Sequence, residues 1–202
     1  MLPQKTAKAY DQITHLWTSD KFNRSNGIEA HKKTLQFLSS DSSAKSALDI
    51  GCGCTGRFFD LFIEEGIQPE GVDISAEKFR LVKEKYPQLT LYNEDICSWG
   101  VPKQYDFITA WDSIWHIPLS QQEAVLTKIV NALKSGGVFI FSFGATDEPG
   151  EHTDDFMGPE VYYSTLGTNG FISLLIELGC SIKHLELDQY PELHGVLVVQ
   201  KR

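Results

Sequence analysis

The stretch LDIGCGCTGRFF, residues 48–59, decides the fold. Gly51, Gly53 and Gly56 have the spacing G-x-G-x-x-G and follow a short apolar run. A strand that ends in such a glycine turn lets backbone N–H groups approach a ligand closely, and the helix that follows offers its positive N-terminus. The stretch therefore predicts a nucleotide-binding turn between a strand and a helix. The spacing alone does not identify the nucleotide.

Strands and helices alternate on both sides of this turn. The predicted strands cover residues 46–50, 70–74, 89–92, 106–111 and 138–143, and the predicted helices cover 57–65, 76–86 and a stretch from a Ser120/Glu123 capping box to Gly136-Gly137. Such alternation predicts a parallel sheet with helices on both faces. The predicted strands 181–188 and 195–200 are joined by a turn too short for a parallel crossover, so they pair antiparallel. The predicted fold is a doubly wound, mixed α/β sheet of seven strands with the last strand antiparallel.

We expect a single domain over residues 1–202. Residues 1–45 form an N-terminal helical cap or lid, residues 46–145 a ligand-binding core, and residues 146–202 a loop, a helix and the C-terminal strand pair. In the cap, Ile28, His31, Leu35 and Leu38 recur at helical spacing, which predicts an apolar stripe that packs on the core. His31 is then a packed histidine rather than a ligand.

Composition excludes several functional classes. The net charge is −9 and there is no extended basic cluster, which disfavours a nucleic-acid partner. Neither a signal peptide nor a run of ~20 apolar residues is present, so we expect no membrane partner and a cytoplasmic location. Cys52 and Cys54 lie two apart while Cys97 and Cys180 are isolated, a pattern that fits a reducing compartment and predicts no metal site.

Acidic residues around the turn indicate which nucleotide it holds. Asp49, two residues before Gly51, suits a ligand that carries an ammonium group, whereas a dinucleotide turn usually has only apolar strand there. Asp73 in GVDIS can accept hydrogen bonds from ribose hydroxyls in either class of nucleotide. Asp95 in NEDICSW closes the third strand and can accept from an adenine amino group. The antiparallel strand pair and the lack of a second domain also separate this chain from a dehydrogenase.

These segments resemble the class I S-adenosylmethionine-dependent methyltransferases that act on small molecules. ALDIGCGCTGRF resembles the family's first motif, VDIS its ribose motif and EDI its adenine motif. YDFITAWDSIWHIP and LKSGGVFIFSF resemble the segments around the fourth and fifth strands, and AYDQITHLW resembles the N-terminal lid. The usual turn has one residue between its later glycines, whereas this chain has Cys54 and Thr55, a departure that concerns the contacts of Gly56.

The resemblance implies S-adenosylmethionine as cofactor, S-adenosylhomocysteine as product and a small-molecule acceptor as partner. The implied cofactor-binding residues are Asp49, Gly51, Cys52, Gly53 and Gly56 in the first motif, Asp73 and Ile74 at the ribose and adenine, Asp95 and Ile96 at the adenine, and Trp111 through its backbone carbonyl. Alternatively, Asp73 and Asp95 cap helices or turns, and Trp111 is an ordinary core residue.

The acceptor is expected at the carboxyl ends of the strands. Tyr10, Trp17, Trp115 and Tyr162 are the predicted acceptor-binding residues; Tyr10 and Trp17 either close as a lid or pack permanently. His116 is the candidate catalytic residue, either a base that deprotonates or orients the acceptor or a support for the loop before Ser120. The acidic, aromatic segment 145–165 either attracts an amine acceptor or forms a solvated loop.

Two other functions stay open at this point: a nicotinamide-dependent oxidoreductase and a non-catalytic cofactor-binding module. The sequence names neither the methyl acceptor nor its attacking atom (oxygen, nitrogen, carbon or sulfur), and it leaves the oligomeric state open.

Overall fold

The computed structural model describes residues 3–40 and 43–202 of the chain. The strands are β1 Lys45–Ile50, β2 Ile67–Val72, β3 Thr90–Tyr92, β4 Tyr105–Ala110, β5 Leu133–Gly144, β6 Gly150–Asp154, β7 Val161–Thr165, β8 Cys180–Glu186 and β9 His194–Lys201. The helices are α1 Pro3–Ile13, α2 His15–Thr18, α3 Ile28–Leu35, α4 Phe59–Glu64, α5 Ala76–Lys85, α6 Leu119–Asn131 and α7 Gly167–Glu177, with one 3-10 turn at Ile114–His116. Across these two ranges, every helix is too short or too polar to cross a membrane.

Seven strands form one mixed sheet in the order β3-β2-β1-β4-β5-β9-β8. Strands β1 to β5 pair parallel, and β9 runs antiparallel to both β5 and β8. The predicted doubly wound sheet with an antiparallel last strand is confirmed. The strand order reverses between β1 and β4, so the loops after these two strands diverge and leave a crevice at their carboxyl ends.

Both faces of the sheet are covered, and each has its own apolar core. On one face, Val125 and Ile129 of α6 and Phe171 of α7 pack against buried residues of β4 and β5. On the other face, Phe58 and Phe62 pack with residues of α3. The layers fix β1 and β4 from both sides, which makes the crevice between their ends a rigid place for a site.

His31 lies inside the second of these cores, as the helical spacing predicts. Its ring stacks on Phe58 with centroids 3.7 Å apart, its Nδ1 bonds the Gly27 carbonyl at 2.7 Å, and its Nε2 pairs with Thr109 Oγ1 at 2.7 Å. Burial lowers the pKa of His31 to about 3, so the ring is neutral at physiological pH. Its two nitrogens are used within the core, which excludes a ligand role.

The predicted start of α6 is wrong. The helix begins at Leu119, after Pro118, and no side chain of its own segment caps it. The N–H of Leu119 instead donates to the hydroxyl of Tyr162 at 3.0 Å, so the cap comes from β7, 43 residues away. The Ser120/Glu123 capping box is therefore not used.

The predicted end of α6 and start of β5 are also wrong. The helix ends at Asn131, and Gly136 and Gly137 lie inside β5 rather than at a helix end. Tyr105 pairs with Leu133 and Phe107 with Val138, so the intervening residues of β5 bulge out of the ladder. Gly136 has φ +77°, a conformation that glycine accepts without strain and that suits a bulge.

Two further features of the fold, one strand end and one strand pair, differ from prediction. Strand β2 ends at Val72, two residues earlier than expected, so Asp73 and Ile74 lie in the loop that follows it. The segment 145–165 contains the antiparallel pair β6 and β7 rather than a solvated loop, because Val161 and Tyr162 bury their side chains. Both differences matter for the site.

Candidate functional site

The glycine turn after β1 is held by the end of β2. Gly51 has φ +76° and donates its N–H to the Val72 carbonyl at 2.8 Å, and a β-carbon there would lie 2.5 Å from the side chain of Ser113. Gly53 has φ +65° and donates its N–H to Asp73 Oδ2 at 2.8 Å. Apart from its own chain neighbours, no atom of the described residues lies within 4 Å of the place a Gly53 β-carbon would take, so the backbone there faces open space. The turn thus presents bare backbone to the crevice.

Two cavities open on the crevice, one around Asp73 and one around Asp49. The Asp73 cavity is lined by the predicted residues Asp73, Ile74, Asp95, Ile96, His116 and Tyr10. The Asp49 cavity is lined by the predicted residues Asp49, Gly51, Cys52, Gly53, Trp111, Tyr10, Trp17 and Trp115. Tyr10, Gly51, Lys78 and Asp112 line both, so the cavities meet at these four residues.

Gly56 and Tyr162 are the two predicted site residues that line neither cavity. Gly56 faces the rings of Tyr86 and Phe59, which lie 2.6 and 2.7 Å from where its β-carbon would be, so it allows close packing behind the turn. Tyr162 points toward α6, where it caps Leu119, whereas Tyr163 lines the Asp49 cavity. Successive side chains of a strand point to opposite sides, so Tyr163 rather than Tyr162 faces this cavity.

Asp73 holds the turn and faces the cavity at once. Its Oδ2 accepts from Gly53 N–H and its Oδ1 from Ser75 N–H, both at 2.8 Å. Burial raises the pKa of Asp73, although Lys78 and these two N–H groups oppose the rise. Each carboxylate oxygen can accept two hydrogen bonds and here accepts one from the described residues, so each can accept another from a ligand. The capping alternative and a ligand-binding role are compatible.

Asp95 lines the Asp73 cavity and not the Asp49 cavity. Its Oδ1 accepts from Cys97 N–H at 2.9 Å, and its Oδ2 accepts from the side-chain amide of Gln4 at 3.1 Å. The second contact connects the rim of the cavity to α1. Asp11 of α1 adds another connection, accepting from the hydroxyl of Ser75 at 2.5 Å.

Asp49 is a buried carboxylate that accepts no hydrogen bond from the residues that the structure describes. Its exposed fraction is 2%, and within residues 3–40 and 43–202 no side chain or N–H donates to its carboxylate oxygens. Burial raises the pKa of Asp49 to about 7; Arg57 acts in the opposite direction and Asp73 adds to the rise. An unpartnered acid of this kind calls for a cationic group in the cavity.

Asp112 lies where the cavities meet, in a strained backbone conformation. It has φ +54°, the one positive φ of a non-glycine residue in the described ranges. Its carboxylate contacts His194 Nε2 at 3.3 Å and Arg57 Nη2 at 3.4 Å, and its N–H donates to Ser142 Oγ at 2.7 Å. Burial raises the pKa of Asp112, but the hydrogen bonds from His194 and Arg57 outweigh burial and lower it overall. Asp112 therefore presents a fixed negative charge to both cavities.

His116 uses both ring nitrogens within the protein. The carbonyl of Tyr162 can only accept, so Nδ1 carries the hydrogen and donates to it at 2.8 Å. Nε2 then accepts from the Tyr10 hydroxyl at 2.7 Å and from Trp115 Nε1–H at 3.0 Å. Burial lowers the pKa of His116 to about 4, so the ring is neutral near pH 7. His116 holds Tyr10 and Trp115, two of the predicted acceptor-binding residues.

Aromatic rings from the N-terminal cap cover the junction of the cavities. Tyr10 and Trp17 make an edge contact with centroids 5.2 Å apart, and Phe22 follows at 6.4 Å from Trp17. Lys78 Nζ lies 3.9 Å from the centroid of Tyr10 and 4.2 Å from that of Trp17. The cap thus covers the cavities with two rings packed on one ammonium group and a third ring, Phe22, beside Trp17.

Trp111, another predicted site residue, belongs to the apolar core and also lines a cavity. Its ring packs beside His31 with centroids 5.2 Å apart, and it also lines the Asp49 cavity. Its buried Nε1 has no hydrogen-bond partner within the described part of the chain. In the same ranges, no group of three or more His, Cys, Asp or Glu side chains lies close enough to hold a metal ion.

Arg57 and Lys78 line the site, and sequence reasoning missed both. Lys78 occupies the same face of α5 as Val82, four residues later, and both are buried. A lysine on the buried face of an amphipathic helix was the signal that could have revealed it. Arg57, directly after Gly56, has no comparable signal because its burial depends on Phe22, Phe58 and Asp112.

Comparison with known proteins bears on the family. Residues 23–161 match the family described as "Methyltransferase domain". An uncharacterized methyltransferase of Alkaliphilus oremlandii is 24% identical over 140 residues, which cover 66% of this chain and 64% of that protein. The chain spans 64%, 52% and 42% of the lengths of three curated relatives that it matches.

Two solved structures share the fold over almost the whole chain. One is an S-adenosylmethionine-dependent methyltransferase from Clostridium acetobutylicum, with TM-score 0.70, 18% identity and 98% of both chains covered. The other is magnesium protoporphyrin IX methyltransferase from Synechocystis with bound SAH, with TM-score 0.72, 15% identity, and 98% of this chain and 95% of that chain covered. The predicted family is confirmed: the chain belongs to the methyltransferase domain family and has the fold of class I S-adenosylmethionine-dependent methyltransferases.

Proposed function

We propose that this chain binds S-adenosylmethionine and transfers its methyl group to a small-molecule acceptor, leaving S-adenosylhomocysteine. One observation carries the proposal: two cavities at the carboxyl ends of β1 and β4 join, and the acids Asp49, Asp73 and Asp95 are distributed along them. The family match supports methyl transfer as the reaction. A reducing, cytoplasmic location and the lack of a nucleic-acid partner belong to the same proposal, supported by four free cysteines and a net charge of −9.

The residues present fit the three ends of this cofactor. Asp73 has acceptor capacity left for the ribose hydroxyls, with Ile74 beside the adenine. Asp95 and Ile96, which line the Asp73 cavity, suit the adenine amino group and ring edge. Asp49 accepts no hydrogen bond from the described residues and has a pKa of about 7, which suits the cofactor's ammonium group. When bound, the cofactor supplies an electrophilic methyl group on a positively charged sulfur.

The place of the acceptor follows from the shape of the site. The cofactor's sulfur links its adenosine part to its amino-acid part, so the methyl group belongs where the two cavities meet. Tyr10, Trp17, Trp115 and Tyr163 surround the Asp49 cavity there. Their rings leave room for a small molecule, exclude water and hold it in line with the methyl group, an alignment that supplies much of the rate.

The geometry of His116 favours a positioning role over that of a base. A base needs a free lone pair within reach of the acceptor, and Nε2 already accepts from Tyr10 and Trp115. We infer that His116 fixes the Tyr10 hydroxyl and the Trp115 ring at the wall of the site. Deprotonation of the acceptor, where needed, then falls to another group or to water.

A direct test compares ligands and then activity. In calorimetric titrations we expect S-adenosylhomocysteine to bind and NADH not to bind, since NADH offers no ammonium group to Asp49. Tight NADH binding without S-adenosylhomocysteine binding would instead support a nicotinamide-dependent oxidoreductase. A metabolite library is then screened for conversion of S-adenosylmethionine to S-adenosylhomocysteine. Cofactor binding without conversion of any acceptor would favour the non-catalytic cofactor-binding module.

A further inference from the structure

Lys78 places an ammonium group at the junction of the two cavities. It belongs to the first turn of α5, has an exposed fraction of 8% and lines both cavities. Tyr10 and Trp17, whose ring centroids lie 3.9 and 4.2 Å from its Nζ, hold the side chain in this position. The charge is therefore fixed beside the expected position of the methyl group.

The three N–H groups of this ammonium find no acceptor in the described part of the chain. Ring faces attract a cation but do not replace oxygen acceptors for its three N–H groups. Among residues 3–40 and 43–202, Lys78 Nζ contacts the two rings but forms no ion pair within 4.0 Å and donates no hydrogen bond. Burial lowers the pKa of Lys78, and Asp73 and Asp11 oppose this from beyond ion-pair distance. An anionic ligand group in direct contact would offset the remaining cost of burying the ammonium.

The cofactor's own carboxylate is not the expected partner. That carboxylate and the ammonium group are attached to the same carbon, so it belongs near Asp49. Arg57 is the cation that acts on the pKa of Asp49, whereas Lys78 acts on that of Asp73. Arg57 is therefore the cation suited to the amino-acid end, and Lys78 is left for the second ligand.

We propose that the Lys78 ammonium binds an anionic group, a carboxylate or a phosphate, on the methyl acceptor, and so selects acidic small molecules. This inference rests on the proposed function, because it assumes that the cofactor fills the remaining parts of the two cavities. The rings of Trp17, Trp115 and Tyr163, which line the Asp49 cavity together with Lys78, suit the uncharged body of such an acceptor.

The test uses three small aromatic probes on protein saturated with S-adenosylhomocysteine. Benzoate carries a carboxylate, phenyl phosphate carries a phosphate and benzyl alcohol is neutral. The anionic probe that binds more tightly identifies the anionic group that the acceptor carries. We expect the wild-type protein to bind one anionic probe at least about tenfold more tightly than benzyl alcohol, the low end for a hydrogen bond to a charged group. Lys78→Met should abolish this preference, and Lys78→Arg should retain part of it.

Lys85→Met is the matched control. Lys85 lies in the last turn of the same helix, donates to the Thr55 carbonyl and lines neither cavity. We expect it to keep the wild-type preference. A wild-type protein without the preference, or a Lys78→Met protein that keeps it, overturns the proposal.

A second titration separates the acceptor from the cofactor. S-Adenosylhomocysteine and 5′-methylthioadenosine share the adenosine part, but only the first has the amino-acid carboxylate. We expect Lys78→Met to change both affinities by the same factor. If the substitution weakens the binding of S-adenosylhomocysteine about tenfold more than the binding of methylthioadenosine, Lys78 binds the cofactor carboxylate and the inference is wrong. Failure of the wild-type protein to bind S-adenosylhomocysteine would refute the proposed function itself.

Discussion

Affinity for S-adenosylhomocysteine should rise about tenfold between pH 6 and pH 8, and Asp49→Asn should remove the rise. Burial raises the pKa of Asp49 to about 7. Roughly one tenth of the side chain is then ionised at pH 6 and roughly nine tenths at pH 8. Because the ligand's ammonium group binds the ionised form, the Kd at pH 6 is expected to be about tenfold larger.

Calorimetry at intervals of half a pH unit measures this profile. Methylthioadenosine, which has no ammonium group, should show no rise near pH 7 and serves as the ligand control. Asp49→Asn keeps the shape of the side chain and removes its titration, so its profile should be flat at a weakened affinity. A flat wild-type profile, or the same slope in the Asn variant, would refute the assignment of Asp49 to the ammonium group.

The same pKa predicts how the free protein's stability changes with pH. Asp49 has a higher pKa in the folded chain than the ~3.9 of an unfolded chain, so the folded state binds more protons between these values. The free energy of unfolding should therefore fall as the pH rises from about 4 to about 7. Asp49→Asn should remove that part of the decline, which denaturant titrations at pH 5 and pH 8 will measure without any ligand.

The remaining predictions concern three other parts of the site. Asp73→Ala should weaken S-adenosylhomocysteine binding by roughly 1.5–3 kcal/mol, the range for hydrogen bonds to a charged group, and unchanged affinity in a folded variant would remove Asp73 from the site. His116→Gln should lower turnover by less than the ~10²–10⁴-fold expected when a base is removed, and the pH profile of turnover should keep its shape. A ~10²–10⁴-fold fall in turnover at unchanged cofactor affinity would instead identify His116 as the base. Residues 8–24 should gain hydrogen-exchange protection when S-adenosylhomocysteine binds, and the absence of any gain would show a permanently packed cap.

Much of the fold could be predicted because its signals are local. The apolar run before Gly51, the glycine spacing and the short link between the last two strands each act over a few residues, where backbone sterics and side-chain period decide. Asp73 and Asp95 could be singled out for the same reason, since each lies near the end of a predicted strand. Their roles toward the cofactor stay predictions.

Errors arose where a distant segment replaced a local signal. The Ser120/Glu123 capping box is a valid local pattern, yet the Tyr162 hydroxyl from β7 caps the helix one residue earlier. Gly136 and Gly137 would end a helix locally, yet pairing of Leu133 with Tyr105 draws them into β5. In both cases a tertiary contact outweighs a local preference worth about 1 kcal/mol.

Only the tertiary structure decided the chemistry of the site. Tyr10 and His116 are 106 residues apart in sequence, and their 2.7 Å contact occupies the acceptor nitrogen of the histidine. The pKa of Asp49 and the surroundings of the Lys78 ammonium depend on segments far apart in the chain, which together line the Asp49 cavity. The sequence by itself determined the order of strands and turns, because these follow local periodicity; desolvation and contact between distant side chains exist only once the chain has folded.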